Sequence, residues 1–299
     1  MPLWLRWVGI ILGAVIVIVL LSAGALAVSG NARLDRSYSV PVETVAIPTD
    51  AASLARGQHI VTTVCVACHT PNLGGAPVIN APGFMVVTAS NLTSGQGGVA
   101  ADQYKTDADW VRAIRHGVDP DGKSLLLMPA QDFWYLSDAD LGAVIAYVKS
   151  VPPVDNTPPD TALALPARLL AGAGRLDALI VARQIDQTGP RPAAPAPGVT
   201  ADYGHYLVQM HFCQNCHGAD LAGGPNPNPT GPAVPNLTPA GELRAWSQAD
   251  FIKAIRTGDT LSGQHLSDAM PWKTFSGMTD DELQAIWLYL KSLPAKPTT

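Results

Sequence analysis

The chain has 299 residues, of which 47% are hydrophobic and only 14% are charged. This length fits about two ordinary domains, and the 27 glycines and 26 prolines predict that much of the chain is loop. The formal net charge of −5 at pH 7 gives no electrostatic basis for binding nucleic acid, so we expect no nucleic-acid partner.

The N-terminal segment is strongly apolar. Residues 3–28 contain only Arg6 and Ser22 as polar interruptions. The stretch 7–26 has about 20 residues, which is the helix length that crosses the hydrocarbon core of a bilayer. We therefore predict a transmembrane anchor over residues 1–30, followed by a linker over 31–45.

Two other interpretations of this segment are open. A cleaved signal peptide is one, because Ala25-Leu26-Ala27 has the small-x-small form of a cleavage site. The apolar run is longer than the hydrophobic region of such peptides, which favours an anchor. A buried core helix is the other, but the segment shows no amphipathic face. The basic residues Arg6, Arg33 and Arg36 do not decide the orientation.

The rest of the chain contains one unit twice. We place the two copies at 46–153 and 200–299, with an offset of 141 to 142 residues over their later parts. The ordered matches indicate two copies of one domain. In chain order they are Gly57 with Gly204, Cys65-Val66-Ala67-Cys68-His69 with Cys213-Gln214-Asn215-Cys216-His217, Asn91-Leu92-Thr93 with Asn236-Leu237-Thr238, Asp109 with Asp250, Arg115 with Arg256, Met128-Pro129 with Met270-Pro271, and Pro152 with Pro294.

Each copy ends in a predicted helix. Apolar residues recur there at helical spacing, for example from Leu141 and from Leu283. Ser137 and Thr279 begin patterns that resemble a capping box, and a proline follows each helix. Shorter helices are predicted over 107–117 and 248–258, each closed by a glycine. We see no alternating strand pattern, so the fold class is predicted to be mostly α.

The segment 154–199 between the copies is predicted to be a proline-rich linker. Proline clusters at both ends favour an extended spacer. Its middle, 165–187, is predicted to be a helix, and its charged residues, such as Arg168 and Arg175, argue against a second membrane span.

The strongest motif is Cys-x-x-Cys-His, which occurs once in each copy. The two thiols form thioethers to one haem, and the histidine that follows binds its iron. A redox-active cysteine pair is expected to occur once within a βαβ pattern, which we do not see. A shared zinc site would have to join motifs that lie 148 residues apart. We therefore predict two covalently bound haem c groups, at Cys65, Cys68 and His69 and at Cys213, Cys216 and His217.

With these motifs, each copy resembles a class I cytochrome c domain. In that family a methionine, often followed by proline, binds the iron from a loop before the last helix. The resemblance implies that Met128 and Met270 are the sixth ligands. The remaining methionines are expected to be packing residues, and the remaining histidines surface or core residues, with His211 close to the second haem.

Two interpretations are open for each of the other matched residues. The Asn-Leu-Thr segments at Asn91 and Asn236 either hold haem propionates or the methionine loop, or only form turns. Arg115 and Arg256 either neutralise propionates or lie on a helix surface.

Histidine and methionine together fill the iron's coordination sphere, which predicts an electron carrier without catalysis of its own. Two haems in tandem suggest a relay. Because bacteria attach haem c on the outer side of the membrane, the N-terminus is expected to be cytoplasmic and the haem domains to be periplasmic or extracellular.

The whole pattern resembles membrane-anchored dihaem cytochromes c of respiratory or photosynthetic chains. It is also similar to the cytochrome subunits of membrane-bound alcohol and gluconate dehydrogenases and to the dihaem subunit of cbb3-type oxidases; the long loops before the methionines fit the dehydrogenase type better. The resemblance implies a quinol-oxidising complex, a terminal oxidase, a dehydrogenase or a soluble carrier as redox partner. A dihaem peroxidase is the alternative of another class, and it requires a displaceable iron ligand.

Overall fold

The computed structural model describes residues 2–226 and 231–298. Its first element, α1, spans Leu3–Leu34 and is long and apolar enough to cross a membrane, a property it shares with signal sequences. The helix continues past residue 30, so the predicted linker over 31–45 begins in helical form. Its apolar side chains up to Leu21 are mostly exposed, whereas Gly30 near its end is buried.

The end of α1 packs against helix α8, Leu165–Gly172. A Cβ atom on Gly30 would collide with the Arg168 carbonyl oxygen, and one on Gly172 would collide with that of Leu26. The two helices therefore run antiparallel with their backbones in contact. The bidentate pair between Arg33 and Asp177, at 2.9–3.0 Å, fixes this arrangement.

Helices dominate the rest of the chain, which confirms the predicted fold class, and they recur in the same order. The first series consists of α2 Ala51–Ile60, a π-helical turn Val61–Cys65, α3 Val66–His69, α4 Val99–Asp102, α5 Asp107–His116, α6 Ala130–Phe133 and α7 Asp138–Ser150. The second consists of α9 Ala201–Met210, α10 Gln214–His217, α11 Gln248–Thr257, α12 Trp272–Phe275 and α13 Asp280–Ser292.

The helix boundaries follow from capping. Capping boxes open α5 at Thr106 and α11 at Ser247. Gly117 and Gly258 end these helices in the left-handed conformation, with φ of 64° and 77°. Thr279 opens α13 with a complete capping box, as its sequence pattern predicts.

In each unit the first helix crosses the last at a glycine. The pairs are α2 with α7 and α9 with α13. A Cβ atom on Gly57 would collide with the carbonyl oxygen of Ala143, and one on Gly204 would collide with that of Ala285. The matched glycines thus allow the backbones to touch, which brings each Cys-x-x-Cys-His motif next to the core of its unit.

The sequence shows no alternating strand pattern, but the mostly helical structure does contain a small sheet. A three-stranded antiparallel sheet is formed by β1 Ala76–Ala81, β2 Met85–Ala89 and β3 Ala162–Leu163. These strands are short, and apolar residues occupy both faces of β1, so no alternation is visible in the sequence. The sheet has its own small core, which includes the buried Met85.

The linker helix is shorter than predicted. Helix α8 ends at Gly172, a turn at Gly174 with φ of 73° follows, and two 3₁₀ turns occupy Asp177–Leu179 and Val181–Arg183. The segment then packs on the first unit, where Ile180 is fully buried. Glycines at the end of α8 are the physical reason that the helix stops.

The Asn-Leu-Thr segments fix the chain that leaves each last helix. Asn91 Nδ2 donates to the carbonyl oxygens of Val154 and Asn156 at 2.7 and 2.9 Å, and Asn91 Oδ1 accepts from Thr93 N–H at 2.9 Å. Asn236 repeats the pattern with the Lys296 carbonyl oxygen at 2.8 Å. These side chains therefore form local turns, as one of the two interpretations expected, and they also anchor a distant part of the chain, which neither interpretation included.

We predict that Asn91→Ala lowers the free energy of unfolding by about 2–3 kcal/mol, because the substitution removes every hydrogen bond of a fully buried side chain and leaves the Val154 and Asn156 carbonyls without these donors. Urea unfolding of the detergent-solubilised protein measures this change. Asn80→Ala, at an exposed position of β1, is the matched control and should change stability by less than about 0.5 kcal/mol. Equal effects of the two variants would contradict the anchoring role.

A polar network joins the two helical units. Glu282 accepts from Arg56 Nη1 at 3.1 Å and lies 2.7 Å from His59 Nε2. The Tyr206 hydroxyl donates to Asp140 at 2.6 Å, and Arg56 also binds Asp140. Burial raises the pKa of Glu282, but the hydrogen bonds from His59 and from its own helix cap, with the charge of Arg56, outweigh it and hold the pKa at about 2.

Because this pKa lies below the ordinary value of 4.5, ionised Glu282 stabilises the fold above that pH, and the contribution is lost as the pH falls towards 2. We expect Glu282→Gln to reduce stability by about 2 kcal/mol at pH 7. Thermal unfolding should show this gap shrinking on acidification. The control is Glu242→Gln, at an exposed residue of the second unit. A gap that persists at low pH would contradict the assignment.

Candidate haem-binding sites

The first motif lies where α2 leads into α3. The π-helical turn carries Cys65, and α3 carries Cys68 and His69. His69 Nδ1 lies 2.8 Å from the carbonyl oxygen of Ser90. A carbonyl can only accept, so Nδ1 carries the proton and Nε2 keeps its lone pair. This is the tautomer in which an imidazole binds a metal through Nε2, and the carbonyl fixes the ring orientation.

The second motif has the same arrangement. Cys213 precedes α10, which carries Cys216 and His217. His217 Nδ1 lies 2.8 Å from the carbonyl oxygen of Pro235, the residue before Asn236. Burial lowers the pKa of both motif histidines, which favours the neutral imidazole that metals require.

The two backbone acceptors, Ser90 and Pro235, were not predicted from the sequence. Each directly precedes the asparagine of a matched Asn-Leu-Thr segment, so the repeat contained a signal for them. Through this link, the segment that anchors the end of each unit also orients its motif histidine.

The cysteine environments argue against thiol redox chemistry. Cys65 and Cys213 are free, and burial raises the pKa of each thiol to about 12. A redox-active pair needs a lowered thiol pKa. Within residues 2–226 and 231–298, no three His, Cys, Asp or Glu side chains are grouped so as to hold a metal ion, as a zinc site would require.

A cavity of about 630 Å³ lies beside the first motif. Cys65, Cys68 and His69 line it together with Met128, so the structure brings all four predicted site residues of the first unit to one place. Its walls are largely apolar and include Ile60, Val64, Trp110, Ile114, Phe133 and Val144. The volume is typical of cofactor pockets, and thiols, imidazole and thioether are the groups that hold haem c. The first site therefore fits this group.

The two methionine loops have the same local geometry. The Met128 carbonyl oxygen accepts from Ala130 N–H at 2.7 Å, and that of Met270 accepts from Trp272 N–H at 2.8 Å. Each loop ends at Pro129 or Pro271, which opens a short helix. Met270 is partly buried against the main core. The second loop thus repeats the first in sequence and in backbone bonding.

The matched arginines stabilise the start of the last helix. Arg115 is fully buried and donates to the Leu136 carbonyl oxygen at 2.8 Å and to Glu43 at 2.6 Å. Arg256 donates to the Ser276 carbonyl oxygen and to Asp280. Arg115 is therefore not the surface residue that one interpretation expected. Glu43, which lies outside the repeat, was not identified from the sequence.

His211 is a core residue. Its side chain is buried, Nδ1 lies 2.8 Å from the Leu207 carbonyl oxygen, and burial lowers its pKa to about 4. The ring packs edge-on against Phe275. Met210 and Met278 are buried as well, which agrees with their expected packing role.

The chain is similar to known proteins over most of its length. The cytochrome c family model matches residues 54–152 and 201–294. The chain is 30% identical over 281 residues to the cytochrome c subunit of a quinone alcohol dehydrogenase from Gluconacetobacter polyoxogenes, covering 83% of the chain and 57% of that relative.

Two further relatives have related descriptions. The fructose dehydrogenase cytochrome subunit of Gluconobacter japonicus is 27% identical, over 86% of the chain and 56% of the relative. The gluconate 2-dehydrogenase cytochrome c subunit of Pantoea cypripedii is 29% identical, over 82% of the chain and 60% of the relative. The chain thus spans less than two thirds of the length of these relatives.

Proposed function

Because the chain belongs to the cytochrome c family, we propose that it binds two haem c groups and carries electrons as the cytochrome subunit of a membrane-bound dehydrogenase. The observation that carries this proposal is the grouping of Cys65, Cys68, His69 and Met128 around one apolar cavity. When bound, haem supplies one-electron chemistry at its iron.

The residues of the first site have distinct roles. Cys65 and Cys68 would attach the group covalently, and His69, oriented by the Ser90 carbonyl oxygen, would supply one iron ligand. Met128 would supply a second ligand, which would raise the reduction potential. The apolar walls exclude water, which keeps the surroundings of the iron unchanged between its two oxidation states.

The second site is proposed by structural equivalence. Cys213, Cys216 and His217 repeat the first motif, and Met270 repeats the loop position of Met128. With both sites ligated by histidine and methionine, no open iron position is available for a substrate. An electron carrier is therefore favoured over a dihaem peroxidase, whose chemistry needs a displaceable ligand.

A dehydrogenase is the favoured partner among those that the resemblance implies. The relatives described above are cytochrome subunits of alcohol, fructose and gluconate dehydrogenases. In this role the protein would accept electrons from a catalytic subunit at one haem and pass them on from the other. A terminal oxidase or a soluble carrier would then accept the electrons, whereas a quinol-oxidising complex would be an alternative donor.

We propose that α1 is retained as a membrane anchor, with its N-terminus cytoplasmic and the haem units outside. Cleavage after Ala27 would remove Leu26, whose carbonyl oxygen lies in backbone contact with Gly172 of α8. The last turns of α1 are thus part of the folded first unit, which supports an uncleaved helix.

The test is to purify the chain from membranes of a host that attaches haem c and to count haems per chain. We expect two, and one in each of Cys65→Ala and Cys213→Ala. Co-purification of a dehydrogenase whose substrate reduces the bound haems would support the partner. A single haem in the unchanged chain, or haem that no dehydrogenase substrate reduces, would contradict the corresponding part of the proposal.

A further inference from the structure

The two candidate haem sites meet at a contact between the units, which we call the junction. On one side lie residues 128–133, which consist of Met128 of the first site, Pro129 and helix α6. On the other side lie residues 210–215, which run into the second Cys-x-x-Cys-His motif. Met210 and Phe212 from this second segment line the cavity of the first unit.

A hydrogen bond ties the two segments together. Asn215 Nδ2 donates to Asp132 Oδ2 at 2.9 Å. Asn215 is one of the two variable residues of the second motif, and Asp132 follows Met128 by four residues. Asp132 is only 7% exposed, and it also accepts from the amide of Gln131. The bond therefore connects helix α6, which directly follows the methionine loop of one site, to the haem-attachment motif of the other.

Phe212 has a backbone conformation that its counterpart lacks. Its φ is 47°, in the left-handed region, which is unfavourable for a non-glycine residue. In the first unit, Val64 occupies the same place before Cys65 and remains in a helical turn. Helix α9 instead ends at Met210, and the chain turns so that Phe212 reaches the cavity of the other unit. Strain of this kind is typically kept at functional sites.

From these observations we infer that electrons pass between the two haems across the junction, with the Phe212 ring as the group between them and the Asp132–Asn215 hydrogen bond as the element that positions them. This inference rests on the proposed function. In each transfer one electron leaves a ferrous iron, which becomes ferric, and reduces the ferric iron of the other site. No bond is made or broken and no proton is required.

The test uses the full chain with both haems attached. After rapid photoreduction, the redistribution of the electron between the two haems is recorded optically, and each haem's potential is measured separately. The variants are Phe212→Leu and Asn215→Ala. Their matched controls are Phe84→Leu, in the β1–β2 turn, and Gln214→Ala, the other variable residue of the same motif.

We expect the inter-haem rate to fall several-fold in Phe212→Leu and Asn215→Ala, with haem content, melting temperature and both potentials unchanged, and to stay at its original value in the controls. Unchanged rates in both junction variants, or equal slowing in the controls, would overturn the inference. An unchanged chain that carries fewer than two haems would instead refute the proposed function, whereas two attached haems that exchange no electron would overturn the inference alone, so the two failures are distinguishable.

Discussion

Replacing Met128 with leucine is expected to open one of the two haems while leaving the other intact. Leucine keeps the apolar volume of methionine but has no sulfur to bind iron. The first haem should therefore become high-spin, bind carbon monoxide and fall in potential, since methionine ligation raises the potential. Optical spectra and a redox titration of the purified protein measure this change.

Two companion variants make the result specific. Met270→Leu should open the second haem and spare the first. Met85→Leu is the control, because Met85 is buried in the separate small core of the sheet. If Met128→Leu leaves both haems low-spin and unreactive to carbon monoxide, the ligand assignment is wrong.

Gly57→Ala is expected to be the most destabilising small substitution in the first unit. The added methyl group collides with the Ala143 carbonyl oxygen, a backbone atom that cannot move without separating α2 from α7. We expect a loss of at least about 3 kcal/mol, at the upper end of the cost of overpacking. Chemical unfolding measures this loss, and incomplete haem attachment at the first motif would accompany it.

The repeat supplies both a replicate and a control. Gly204→Ala should act in the same way on the second unit, where the methyl group meets the Ala285 carbonyl oxygen. Gly9→Ala makes the same chemical change at a helical position with no atom within 4 Å, and it should leave stability unchanged. Tolerance of alanine at both Gly57 and Gly204 would contradict the close helix crossing.

The helices could be predicted because their information is local. Apolar spacing, capping residues and terminal glycines all lie within the segment they describe, and α5, α11 and α13 formed close to their expected limits. Because the unit occurs twice, each of these local patterns is present in two copies. The same repeat singled out Gly57 and Gly204 as matched residues, although only the structure shows the carbonyl oxygen that each one faces.

The remaining features depend on partners that are distant in the chain. The sheet forms because β3 comes back to β2 from the linker, and its short strands carry no alternation of their own. The junction is another case, since Asp132 and Asn215 are 83 residues apart and neither residue type recurs at the equivalent position of the other unit. The repeat shows which residues the two units share, but it contains no information on the contacts between the units.

Some residue roles were open in the sequence because two chemistries use the same side chain. A buried arginine suits a haem propionate as well as it suits a helix terminus, and only the bonds of Arg115 to Leu136 and Glu43 distinguish them. Asn91 is a similar case, because its side-chain amide donates to the Val154 carbonyl oxygen in the backbone beyond α7. For both residues, the choice depends on geometry that no local pattern contains.

The most direct test of the central claim is an optical redox titration of the detergent-purified chain, with haems counted per chain and carbon monoxide added at the end. We predict two low-spin haems with separate one-electron transitions, neither of which reacts with carbon monoxide. A single haem, or a haem that binds carbon monoxide in the unchanged protein, would contradict a two-haem electron carrier with histidine and methionine ligands.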